Sequence, residues 1–330
     1  MSQNTSLPGL CLTAALGAAL FTSTHAALAA QPSGLAAQYP GDKGIEKDPR
    51  VVFADNFETG DIDAIGKHWG QASHPENMTL EADTAAGSAG VRSLKMVENG
   101  HLYGHFKGLD SAYVRFYCKF APKTGPIHHF VHLLADSEPT PWPRGGAGLR
   151  PDGNKGFTCG IEPGKFNNWI YYPYWYKMHS WQNPDGSPNN PPKGDSKSFY
   201  GNNFSAAPGP IPLGKWICVE LMVKANTPGE NDGELALWLD GQQASHWKTG
   251  SANGTWFRDG FRTSGPSNTN PKPFEGFDFR STDKLKINTL WLLYFVDPVS
   301  AQEAAKRVQA VWFDDVVVAS EYIGPLQAKP

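Results

Sequence analysis

The sequence predicts an all-β protein folded as an antiparallel sandwich. Three observations carry that expectation. Apolar residues recur at every second position in short segments, Gly, Pro, Asn and Asp cluster between those segments, and helical period is nearly absent. In Ser111 to Phe120, Val114, Phe116, Cys118 and Phe120 alternate with Tyr113, Arg115, Tyr117 and Lys119. Successive strand side chains point to opposite faces, so one face is core and the other carries aromatics and cations. In Trp216 to Lys224, Ile217, Val219, Leu221 and Val223 form the core face, opposite Glu220, Met222 and Lys224. In Glu234 to Asp240, Leu235, Leu237 and Leu239 point inward and Trp238 outward, and Asp240-Gly241 makes the turn. The longer apolar runs Ile287 to Val296 and Gln309 to Ala319 suit strands covered on both sides. Ser300 to Gln309 is the one stretch with helical character. Ala135 to Pro212, rich in Pro, Gly, Asn and Trp, reads as long loops framing a cleft.

The first thirty residues contain no Lys, Arg, Asp or Glu. Leu7 to Phe21 is apolar and small, and Ala27-Leu28-Ala29 has the form of a signal-peptidase site. Residues 1–29 are therefore expected to be a leader of a secreted protein, extracellular or periplasmic, and 30–50 a linker. Residues 51–330 are expected to be one domain, since no composition break divides them. Once the leader is removed, Cys118, Cys159 and Cys218 remain, an odd set with no C-x-x-C pair, so at most one bridge can form within the chain. A net charge of -3 gives no field for nucleic acid or an anionic membrane. No later stretch is apolar enough to span a bilayer. The chain is expected to work as a monomer.

Three stretches resemble one known family. Lys215-Trp216-Ile217-Cys218-Val219-Glu220, continuing to Trp238-Leu239-Asp240-Gly241, is similar to the central strand pair of jelly-roll polysaccharide lyases, which have the concanavalin A-like lectin/glucanase fold. Trp312-Phe313-Asp314-Asp315-Val316-Val317-Val318 resembles their closing strand, and Asp55-Asn56-Phe57-Glu58-Thr59-Gly60 their opening one. The resemblance implies a jelly roll and β-elimination of a glycan containing uronic acid. It also implies a structural Ca²⁺ where the first and last strands lie side by side, held by Asp55, Glu58 and Asp315. Surface acids around a capped turn are the plainer reading of those three residues.

The residues themselves suggest a saccharide groove. Tyr113, Tyr117 and Lys119 around Arg115 fit an ordinary solvated face, or a groove in which aromatic rings stack on sugars and a guanidinium holds a carboxylate. Next come His128, His129 and His132. Strict alternation groups His128 with His132, whereas a bulge would reverse that grouping. A metal site is a rival reading of three histidines, but no Asp or Glu sits at a fitting local spacing. The aromatic run that includes Trp169, Tyr172, Tyr174, Trp175 and Tyr176, followed by His179, fits either loop packing or a ligand platform, with Pro173 arguing against a buried strand. Arg150 adds charge at the rim. By the resemblance, Arg115 neutralises the uronate, one of the three histidines removes the α-proton and Tyr174 protonates the leaving oxygen. The E-x-D-x-E triplet of retaining glucanases on this scaffold does not occur, which disfavours hydrolysis by that route. A non-catalytic lectin-like module is the leading alternative, and a hydrolase with acids on separate strands is a third.

Overall fold

The computed structural model describes residue 1 and residues 33–139, 147–185, 198–296 and 309–327. Apart from Met1 and Gln309, the expected leader and the helix expected over 300–309 lie outside the described residues. The folded body begins at Ser33.

Two antiparallel sheets face each other across the core. The first runs β13 (Gln242–Trp247), β12 (Glu234–Leu239), β11 (Trp216–Lys224), β6 (Ser111–Phe120), β18 (Ala310–Ala319), β4 (Ser93–Val97) and β3 (Met78–Glu81). Its β1 (Val51–Asp55) pairs with the second half of β18, so the first and last strands lie side by side. The second sheet runs β10 (Phe204–Pro208), β9 (Asn168–Tyr174), β8 (Gly156–Glu162), β7 (His129–Asp136), β17 (Ile287–Phe295), β5 (Gly100–Leu109) and β2 (Gly70–Ser73). A small third sheet joins β15 (Gly260–Arg262), β14 (Asn253–Phe257) and β16 (Lys272–Pro273). The predicted alternation holds in the first sheet. Val114, Phe116, Cys118 and Phe120 enter the core with Ile217, Val219, Leu221, Val223, Leu235 and Leu237.

The structure corrects the reading of Ala135 to Pro212 as long loops, because β8, β9 and β10 all lie there. Pro173 sits inside β9 without breaking it. Its carbonyl accepts the Asn202 N–H at 2.9 Å, so its nitrogen faces that segment and β8 loses no ladder bond. The structure also adds a short helix, α1 (Ile62–Trp69). Asp61 caps it by accepting from the Ala64 N–H, and Ile65 and Trp69, four apart, bury one face. Eight residues are too few for a periodicity signal. All three described cysteines are free and buried. Among the described residues no helix is long and apolar enough to cross a membrane.

From Ser33 onward, the segment expected to be a linker is part of the folded body. Leu35, Ala36 and Ile45 are buried with Val317, Ala319 and Ile323 against the outer face of the first sheet. The chain end lies on the same face. Glu220 accepts the N–H groups of Ile323 and Gly324 at 2.7 and 2.8 Å, and the Tyr117 hydroxyl accepts the Leu326 N–H. Both ends of the body therefore cover the surface on which Arg115 lies.

Candidate active site

Arg115 is not in a groove. It is wholly buried beneath the N-terminal arm and its guanidinium is paired with Asp42. On the same face Tyr113 packs near Trp238, and Tyr117 is buried with Cys218 and Ala85. Lys119 pairs with Asp83 and lies over Trp216 and Trp312. The alternation of β6 is as the sequence predicts. Which face would be covered depends on segments more than sixty residues away, and local patterning carries no record of them.

The expected aromatic platform divides in a similar way. Trp169 enters the core against Phe120 and Phe130. Trp175 is buried and donates its indole N–H to Asn202. His179 stacks on Trp256 at 3.6 Å, with Glu275 3.4 Å away, and Tyr176 lies against Gly153. Tyr172 and Tyr174 are on the other face of β9. Arg150 lines a cavity of about 220 Å³ with Tyr174, Thr158, Leu134 and Asp136.

That face of the second sheet gathers the remaining candidates. An irregularity where β7 pairs with β17 accompanies the choice of histidines that reach it. The pairing shifts between Leu292↔Val131 and Phe295↔His129, where β17 carries the extra residue, and in β7 the successive residues Phe130 and Val131 both enter the core. His129 and His132 consequently share the outward face, although strict alternation would separate them. His128 is exposed and packs near Phe295.

Glu162, at the end of β8, joins the two histidines. His129 Nδ1 lies 2.9 Å from Glu162 Oε1, and His132 Nε2 lies 3.3 Å from the same oxygen. Burial pushes the Glu162 carboxyl up, but the two facing imidazoles, His129 first through its hydrogen bond, outweigh it and leave the pKa below the usual carboxylate range. Glu162 is therefore a buried anion, and His129 Nδ1 is the proton-bearing nitrogen that donates to it. In the neutral form of that ring the lone pair is on Nε2. Burial lowers His132, with Glu162 opposing, so its ring is favoured neutral. The His132 ring occupies the space above Gly160, where an added Cβ would stand 2.5 Å from it.

The tyrosines complete one side. Tyr172 lies 5.5 Å from His129 between ring centroids, and Tyr174 packs on Tyr172 at 5.7 Å. Burial raises both phenols, so each hydroxyl keeps its proton. On the other side Trp291 lies 5.4 Å from His132 and 5.7 Å from His101. Its indole donates to His101 Nδ1, and burial lowers His101 to about 4, so the acceptor ring is neutral. Sequence reasoning missed Glu162, His101, Tyr103 and Trp291. His101, Tyr103 and His105 alternate along β5, and that period-two pattern was the available signal.

The acids expected near the chain ends fare differently from one another. Asp55 accepts from the Phe57 N–H and from the Trp69 indole, one bond to each oxygen, and Glu58 Oε1 accepts from Val91 and Arg92. A bulge between Asp314 and Val317 reverses the side-chain parity of β18. Phe313 and Val316 both enter the core, and Asp314 and Asp315 are not set on opposite faces. Buried Asp315 Oδ2 has no hydrogen-bond partner, nor has Asp42 Oδ1. Asp42, Glu58 and Asp315 line a cavity of about 540 Å³ between the N-terminal arm and β18.

Two facing antiparallel sheets, joined in this order and closed by the first strand on the last, make a jelly-roll sandwich. Solved structures agree. The marine PL-14 alginate lyase from Aplysia kurodai matches with a TM-score of 0.53 at 14% identity, over 82% of this chain and 98% of that one. The alginate lyase Aly36B, as a mutant in complex with an alginate tetrasaccharide, matches with a TM-score of 0.50 at 10% identity, over 83% and 98%. No protein-family model and no curated protein matches the sequence. At such identities the likeness establishes the fold, and chemistry has to be argued from side chains.

Proposed function

We propose that the protein is a polysaccharide lyase that cleaves a uronic-acid-containing glycan by β-elimination on the outward face of the second sheet. One observation carries this reading: His129 is held by a buried, ionised Glu162 beside two protonated tyrosines. His129 Nε2 removes the α-proton of a uronate residue, and Glu162 stabilises the imidazolium that forms. The electrons of the broken C–H bond become the new C=C bond, the bond to the β-oxygen breaks, and Tyr172 or Tyr174 gives that oxygen its proton. Arg150, in the cavity with Tyr174, replaces Arg115 as the group that neutralises the carboxylate. Trp291 and Tyr172 offer ring faces to flanking sugars.

Incubation with a panel of polyuronates, followed by ultraviolet absorbance of the unsaturated product, tests the reading. A steady rise on at least one polymer is expected. No rise on any, together with retention of the protein on a glycan affinity gel, would turn the assignment to a lectin.

The same reading includes export after cleavage at Ala29, which N-terminal sequencing of protein from the medium checks. It also includes a structural calcium ion. Asp315 and Asp42 fit it best, each having a buried oxygen without a hydrogen bond, whereas each Asp55 oxygen already accepts one. The ion would tie the N-terminal arm to β18. Added calcium is expected to raise the thermal midpoint and a chelator to lower it, and Asp315→Asn to remove the difference.

A further inference from the structure

We propose that His129, His132 and Glu162 also form a binding site for a divalent transition-metal ion of the zinc class, and that filling it switches the enzyme off. The second half of this proposal rests on the lyase reading, and the first half does not. Among the described residues this is the one group of three side chains whose ligand atoms all lie within 4.8 Å of one another. The separations fit a small tetrahedral ion. Bonds of about 2.0–2.1 Å imply tetrahedron edges of about 3.3 Å, and His129 Nδ1 and His132 Nε2 stand 2.9 and 3.3 Å from Glu162 Oε1. Two imidazoles and one carboxylate are a donor set that zinc prefers over calcium or magnesium.

A second observation points the same way. His132 is 3% exposed, and its Nε2 makes no hydrogen bond although it is aimed at Glu162. A buried ring nitrogen without a hydrogen bond, 3.3 Å from a carboxylate oxygen, is what a metal would satisfy. Gly160 leaves the space in which that ring sits, and Thr158 Oγ1, 3.4 Å from His132 Nδ1, lies on the nitrogen away from the ligands. His129 is half-buried, so the fourth coordination position opens toward the face proposed for the saccharide.

Occupancy and catalysis exclude each other by proton position. When the metal takes the Nδ1 lone pair of His129, the ring changes tautomer through solvent: Nδ1 gives up its proton and Nε2 takes one up, so the neutral ring carries its single proton on Nε2. The nitrogen that should accept the substrate's α-proton is then already protonated, and Glu162 is committed to the ion. No covalent or redox step is involved.

The test pairs direct binding with activity. Metal-stripped protein is titrated calorimetrically with Zn²⁺, and with Co²⁺ while its visible ligand-field absorption is followed. One ion per chain is expected. Glu162→Gln and His132→Ala should each weaken binding at least about tenfold, whereas His74→Ala, at an exposed histidine, should leave it unchanged. Circular dichroism confirms folding, and if His132→Ala fails to fold, His129→Asn takes its place. Equal binding by the wild type and Glu162→Gln, or no binding at all, overturns the site. In the lyase assay Zn²⁺ should inhibit at the occupancy measured by titration and a chelator should restore the rate; acceleration by Zn²⁺ overturns the switch. Lysis without zinc binding would sink this inference alone. Zinc binding through the trio without lysis of any uronate would sink the lyase reading, and the switch with it, and leave the metal site standing.

Discussion

Glu162→Gln lowers the turnover of a uronate polymer by about 10²–10⁴-fold, the range that a positioned general base contributes. The substitution keeps the size and shape of a buried side chain and removes its charge. A glutamine amide presents a donor as readily as an acceptor, so it no longer selects the His129 tautomer with its proton on Nδ1, and it does not stabilise the imidazolium formed when the α-proton is taken. The loss should fall on kcat more than on KM, since Glu162 is buried and has no surface to offer the sugar. Steady-state kinetics on any polymer that the wild type cleaves provide the check. A drop confined to KM, or a change under about threefold, would remove Glu162 from the mechanism.

Arg115→Ala destabilises the fold by roughly 3–5 kcal/mol, the usual consequence of leaving one partner of a buried ion pair alone. Its guanidinium is fully buried and its contact with Asp42 pins the N-terminal arm to β6. Asp42→Ala should destabilise by a similar amount, and the double variant by less than the sum, because neither charge is then left alone. Denaturant unfolding measures all three. Activity per folded molecule should stay near that of the wild type. A stable Arg115→Ala protein that cannot cleave or bind glycan would put the site on the opposite sheet.

The sandwich is legible in the sequence because a strand writes its burial into neighbouring residues. Val114, Phe116, Cys118 and Phe120, and likewise Leu235 and Leu237, are buried as their alternation requires. The site is legible only in part, and each departure has a physical origin. Arg115 and its tyrosines look like a groove because their face is polar and aromatic, yet Leu35, Ile45 and Ile323 come from the two chain ends to cover it. His129 and His132 stand out in the sequence, but their convergence depends on an irregularity between β7 and β17 that no two-residue pattern encodes. Glu162 pairs with His129 across 33 residues of sequence, so a search for acids at local spacing could not find it. Tyr172 and Tyr174 also stand out, although Pro173 between them makes β9 look like a loop; the proline sits where its missing N–H removes no bond to β8.

A crystal structure with a bound uronate oligosaccharide, obtained with Glu162→Gln to slow cleavage, tests the central claim most directly. Density for the sugar chain should lie across β17, β7, β8 and β9, with one ring against Trp291 or Tyr172 and a uronate α-carbon within about 3–3.5 Å of His129 Nε2. Density over the covered face of β6, or at the third sheet beside His179 and Trp256, would contradict it.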